Sequence, residues 1–383
     1  MPSQAETSAH LFFNNMKKNV ILSLLFGIII SAAALYFAVR NVPFAELLAY
    51  LSSINYWWIL PSAVIGLLSF ALRTYRWQII LSSAKSLSFW TAFHPLMIGF
   101  MMNCILPGRV GEMARPVILH KNENVPFSVG LATVAVERVF DLILLITLLA
   151  CVLTFVPIDP NLNMTFGDHN LNRNTLMAIS SGIVKISLVL LTGIILISIQ
   201  KTRQLICQLI LKFPTFLFFL SQAAINTLQQ KLAMPFVRQI DNFASGFALI
   251  KQPKSIILCL LISTAIWVLS ALSYYIMALG CPGLNLSFLE IFAMMIIICF
   301  FIALPSAPGF WGLWEAGGIF ALAIFGVTHE IAAGYTLANH AIQLFPVIIV
   351  GLASAMITSV NIWQVSYGEA EPQRQPVPHK SDI

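Results

Sequence analysis

The stretch NCILPGRVGEMARP, Asn103 to Pro116, crowds Arg109, Glu112 and Arg115 between prolines and glycines in a chain that is mostly apolar. A second stretch, VERVFD, Val136 to Asp141, lies within a long apolar run. On a helix its Glu137 and Asp141 share one face, with Arg138 three residues before Asp141. These residue types suit the handling of a charged group. Arginine binds phosphate bidentately, and a carboxylate takes an ammonium or a proton. Arg109 and Arg115 are therefore candidates for a phosphate, and Glu137, Asp141 and Glu315 for a cationic group or a proton. Such side chains inside a membrane span are expensive and normally face an interior cavity.

The carboxylates would also permit acid–base catalysis, but no nucleophile or metal set accompanies them. Walker loop, dinucleotide fingerprint, GxSxG elbow and HExxH helix are all missing. The six cysteines lack CxxC spacing and the seven histidines are scattered. Neither a metal nor a cofactor is expected. Plainer readings stand beside the functional one. Asn103 to Pro116 could be a cytoplasmic loop whose arginines set topology, and Glu137, Arg138 and Asp141, with a summed charge near −1, could be a network that pins helices together.

A third stretch, ALPSAPGFWGLWEAGG from Ala303 to Gly318, loosely echoes the first in its LP, its PG and the following Glu315. Two helix breaks entering from opposite membrane faces are what an inverted repeat produces, although two Pro-Gly breaks can also resemble each other by chance. Arg73, Arg76, Asn103, Trp311 and Trp314 are candidates for the rim of the site. Snorkelling anchors and an interfacial aromatic belt are the bland readings for the arginines and tryptophans.

These clusters need a scaffold, and the composition says which kind. Hydrophobic residues make up 58% of the chain, charged residues 9%, and mean hydropathy is +0.86. Soluble domains carry about 25% charged residues, so lipid must be the outer solvent. Apolar runs recur near the ~20 residues that cross a bilayer core: 20–39, 56–76, 127–156, 176–199, 256–279 and 331–360. Shorter runs at 90–106, 205–221, 288–304 and 310–327 are candidates for interfacial or re-entrant segments.

The expectation is an all-α polytopic membrane protein of six to nine membrane segments, with breaks or re-entrant segments near 103–116 and 303–318. A polar leader (1–16) precedes a single membrane domain (17–362), which includes a cytoplasmic amphipathic region (201–254), with a surface helix expected over 228–247. A disordered tail (363–383) follows. With Lys17 and Lys18 placed inside, only Arg40 and Arg173 among the loop arginines and lysines face out, as the positive-inside rule requires. The net charge of +6 is therefore read as topology rather than nucleic-acid binding, and both termini are expected in the cytoplasm.

RTYRW (Arg73 to Trp77), NCILPGRVGEMARP, VERVFD and LPSAPGFWGLWE, in that order, resemble the membrane region of the lysylphosphatidylglycerol synthase family. That region is the lipid-translocating half of the bacterial multiple peptide resistance factor. The resemblance runs over roughly residues 17 to 360. It implies a flippase- or scramblase-like translocase of a phospholipid or lipid-linked headgroup in the bacterial inner membrane, without naming the cargo. The full-length factor continues into a soluble aminoacyltransferase domain; here residues 363–383 follow the last apolar run, so synthase activity is not expected. A membrane lipid is the expected partner, and a second copy of the chain is a candidate. Three other classes share the same residues: a secondary transporter for a small solute, a membrane scaffold and an integral membrane enzyme.

Overall fold

The computed structural model describes residues 27–36, 40, 42–82, 84–106, 109–155, 163–166, 169–172, single positions between 181 and 196, 200–216, 221–237, 240 and 253–361. The expected leader, the tail and most of the 176–199 run lie outside these. Helices dominate, and the chain is a polytopic helical membrane protein. In order they are α1 (Gly27–Tyr36), α2 (Phe44–Ser53), α3 (Ile59–Leu81), α4 (Phe89–Ile105), α5 (Val110–Glu123), α6 (Phe127–Phe155), α7 (Gln200–Lys212), α8 (Gln222–Leu228), α9 (Pro253–Leu279), α10 (Phe288–Phe301), α11 (Leu313–Ile324) and α12 (His329–Ile357). One departure from an all-helical chain is a small antiparallel hairpin, Asn163–Phe166 with His169–Asn172. Of the surface helix expected over 228–247, residues 228–237 and 240 are described; helix already starts at Gln222 and passes through a π-helical turn at Gln229–Ala233, and 241–247 lie outside the described residues.

By length and composition, Tyr56–Leu81, Lys254–Leu279 and His329–Ile357 can cross a membrane. Their outward faces are apolar: Leu60, Val64 and Leu68 on α3 and Phe345, Ile349 and Met356 on α12 are exposed. Without lipid around them these surfaces would be an aggregation hazard.

The shorter helices have clear starts and stops. Ser88 accepts a hydrogen bond from Thr91 N at the head of α4, and Ser287 forms a capping box with Glu290 at the head of α10. Leu106 precedes Pro107 and is extended (φ −108°, ψ 147°), which ends α4. Ala307 precedes Pro308 and is likewise extended. With 17, 14, 14 and 12 residues, α4, α5, α10 and α11 reach only about 18–26 Å, short of the ~30 Å core. They pair as two hairpins, α4 with α5 and α10 with α11. Gly111 lies against the Gly99 carbonyl in the first, and Gly317 against Phe301 in the second.

The same order therefore occurs twice: long helix, short helix, break, short helix, long helix. α3 to α6 form one unit and α9 to α12 the other, and the closing helices α6 and α12 have 29 residues each. The opening helices α3 and α9 pack antiparallel, with Ser62 facing Ser273 and Arg76 facing Ser263. At that crossing Ser62 Oγ donates to Ser273 O and Ser273 Oγ donates to Ser62 O, both at 2.8 Å. Reciprocal contacts of this kind mark a local two-fold axis, and the antiparallel pairing makes the repeat inverted. The tips of the two hairpins meet. Arg109 Nη2 donates to Ile302 O at 3.0 Å, and a Cβ on Gly309 would lie 3.1 Å from Cys104 O.

Candidate functional site

Three helices of the first unit converge on a buried ionic cluster. α6 presents Glu137 and Asp141 one turn apart, α3 presents Arg73 and Arg76, and α5 presents Arg115. Arg76 Nη1 donates to Asp141 Oδ1 at 2.6 Å and to Ser263 Oγ at 2.7 Å, and its Nη2 lies 3.6 Å from Glu137 Oε1. Arg115 Nη2 pairs with Glu137 Oε2 at 2.6 Å, and its guanidinium stacks 4.0 Å over the Trp77 ring. Trp77 is fixed in turn by donating to Thr133 Oγ1 at 3.0 Å. Arg73 and Arg138 reach Asp141 Oδ2 from its other side, at 3.8 and 3.4 Å.

Burial within the cluster is graded. The side chains of Arg76 and Glu137 are 1% exposed, Arg73 15% and Arg138 38%. Each of the four arginines keeps a buried Nε without a hydrogen-bond partner. Among the described residues the linked set holds four guanidinium groups and two carboxylates, so its net charge is +2. Glu137, Arg138 and Asp141 alone sum to −1; the arginines arriving from α3 and α5 reverse the sign.

Arg76 corrects the sequence reading. Expected at a rim, it is fully buried and central, because it lies on the face of α3 packed against α9 and α6. Arg109 is a second correction: it does not join Arg115 or the carboxylates. It takes a left-handed conformation (φ 55°) at the head of α5 and spends its guanidinium on the other break. Glu112 is half-buried on the first turn of α5, outside the linked set. Asn103 acts locally, its Oδ1 accepting from Gly111 N at 2.8 Å.

Glu315, Trp311 and Trp314 belong to a second constellation. Glu315 Oε2 accepts from Gly312 N at 2.7 Å, and Oε1 lies 2.6 Å from Nδ1 of His340 on α12. His340 Nε2 is 2.9 Å from Gly309 O. The imidazole sits between Trp311 and Trp314, each 4.4 Å away centre to centre.

Sequence reasoning missed His340, and with it Asn339 and Gln343 on the same helix. A signal was present: the eleventh, twelfth and fifteenth residues of α6 are Glu137, Arg138 and Asp141, and those of α12 are Asn339, His340 and Gln343. The same positions carry charge in one unit and neutral polar groups with a histidine in the other. Arg109 and Phe310, both at positive φ, correspond in the same way at the two breaks.

A family described as "Lysylphosphatidylglycerol synthase TM region" matches residues 24–351. "Glycosyltransferase AglD" of Haloferax volcanii is 22% identical over 355 residues, 88% of this chain and 54% of that protein. The chain thus spans about half the length of that relative. A "UPF0104 membrane protein" of Methanocaldococcus jannaschii is 24% identical over 265 residues, covering 68% of this chain and 95% of the relative. Another from Methanothermobacter thermautotrophicus is 25% identical over 349 residues, with 87% and 92% covered.

Proposed function

The chain belongs to the lysylphosphatidylglycerol synthase transmembrane-region family, and on that premise we propose that it moves an anionic or zwitterionic lipid headgroup between leaflets. The observation that carries this reading is the surplus of two positive charges in the linked set around Asp141 and Glu137. A buried ionic cluster is costly unless its charges are matched, and a headgroup phosphate would match this one. Arg138 and Arg73, with 38% and 15% of their side chains exposed, are its more open side. Arg76 and Arg115 lie behind them and hold the carboxylates in place.

In this reading the two helical hairpins enter the membrane from opposite faces and meet near its midplane, which puts the polar cluster where a headgroup needs shelter. The acyl chains stay in lipid. The chain acts as a transporter in a cytoplasmic membrane, with both termini inside, and performs no group transfer. A secondary transporter for a soluble phosphate ester would use the same cluster, and the cargo separates the two.

The test is leaflet exchange of labelled phospholipids in proteoliposomes, with anionic, zwitterionic and lysine-modified headgroups. Arg138→Ala removes an open charge without unpacking the core. Loss of a charge-assisted hydrogen bond worth about 1.5–3 kcal/mol lowers apparent affinity about tenfold or more. Exchange that depends on the headgroup and falls in the variant is the expected result. Exchange indifferent to both would remove the cluster from the mechanism, and no exchange with any lipid would favour the soluble cargo.

A further inference from the structure

We infer that Glu315 and His340 form a proton-binding site that locks the second helix break onto α12 and makes lipid movement proton-coupled. The coupling half of this inference rests on the translocase reading; the proton site does not. The argument starts from hydrogen counting. Gly309 O has no proton to give, so His340 Nε2 at 2.9 Å donates to it. Nδ1 then faces Glu315 Oε1 at 2.6 Å, and that contact needs a proton on the nitrogen or on the oxygen. Either arrangement holds one proton more than a neutral imidazole beside a carboxylate. Remove it, and a nitrogen lone pair faces an anion.

The proton also balances the charge. With it, the pair is neutral overall; without it, a full negative charge is left in a site where Glu315 is 0% and His340 1% exposed. An unmatched charge in such an interior is costly, and opening the site to water relieves it. Opening means releasing the break, because the pair grips it at two points: Gly309 through its carbonyl and Gly312 through its N–H to Glu315 Oε2. The same break carries the contacts to the first hairpin, Arg109 to Ile302 O and Cys104 O against Gly309. Proton release and separation of the two tips are therefore one event.

Other ionisable groups on the packed elements do not take over the role. Tyr335 on α12 donates to Tyr274 O, and Tyr274 on α9 stacks on Trp314. Tyr50 on α2 donates to Pro282 O. Arg73 and Arg76 on α3 are committed to Asp141 and Glu137. On α4, Cys104 meets the break through its carbonyl, and His94 stacks on Trp90. Glu315 is the group in contact with the imidazole.

Two readouts test this. Imidazolium quenches a stacked indole, so tryptophan fluorescence of the purified protein in detergent, titrated with pH, reports the proton on His340 directly. A His94→Gln background removes the second stacked pair. The expected result is a fluorescence step that disappears in His340→Gln and is altered in Glu315→Gln; a step unchanged in His340→Gln overturns the proton site. The second readout is leaflet exchange under an imposed pH gradient, which can drive accumulation by at most about tenfold per pH unit for one coupled proton. Wild type responds to the gradient, whereas Glu315→Gln, which keeps a hydrogen-bonding side chain but cannot ionise, does not. Wild-type exchange that ignores the gradient overturns the coupling while leaving lipid translocation intact. Absence of all exchange overturns the translocase reading, and the fluorescence step still decides the proton site.

Discussion

Glu137 pairs with two buried arginines, Arg76 and Arg115, and is itself 1% exposed. Removing its charge leaves both with less compensation and raises the cluster from +2 to +3. Glu137→Gln should therefore destabilise the protein by about 3–5 kcal/mol, the usual cost of breaking a buried pair, seen as a lower midpoint in thermal unfolding in detergent. Adding Arg115→Met removes a positive charge as well, returns the cluster to +2 and should recover part of the loss; a double variant as unstable as the single would show that charge balance is not what the pair supplies. The sequence marked Arg115, Glu137 and Asp141 as candidates, because ionisable residues near or within apolar runs are costly when unpaired, but it did not say which pairs form. The burial of Arg76 was not legible. RTYRW closes an apolar run, where snorkelling anchors also occur, and only the face of α3 that packs on α9 decides between the two.

At the level of elements, the hairpin of α4 and α5 depends on close backbone approach. A Cβ on Gly111 would collide with the Gly99 carbonyl and press on Asn103 Oδ1, the group that caps Gly111 N. Gly111→Ala should push the two helices apart and cost about 1–3 kcal/mol, as overpacking does, with a matching loss of transport. A Cβ on Gly182, by contrast, would meet nothing within 4 Å among the described residues, so Gly182→Ala should be silent or stabilise by up to about 1 kcal/mol. Paired unfolding curves check both, and equal effects would refute the close approach. The helix breaks here were readable in advance, since Pro107 and Pro308 act on their own neighbours. Contact between the two breaks was not, because the residues that meet, such as Arg109 and Ile302, are far apart in sequence and neither type announces the other.

At the scale of the molecule, the two inverted units α3–α6 and α9–α12 are joined across Ser62 and Ser273, whose reciprocal hydrogen bonds lie where α3 crosses α9. Alternating access in inverted repeats proceeds by rocking one unit against the other, and points on the axis move least. Here the serine crossing is near the axis, with the two Oγ atoms 3.1 Å apart, whereas the proposed translocation requires the units to part at the hairpin tips. A disulfide across the axis and a staple across the tips should therefore have opposite consequences. In a background otherwise free of cysteine, Ser62→Cys with Ser273→Cys should oxidise and retain leaflet exchange close to the reduced level. Bridging Cys104 to Phe310→Cys with a short thiol-specific linker should arrest exchange, with reductant restoring it when the linker is cleavable. Exchange that survives the tip staple would mean the headgroup travels along the outside of the bundle and never between the units. Arrest by the axis disulfide would instead mean that α3 and α9 slide past each other, which the paired serines, each holding the other's backbone carbonyl, are built to resist.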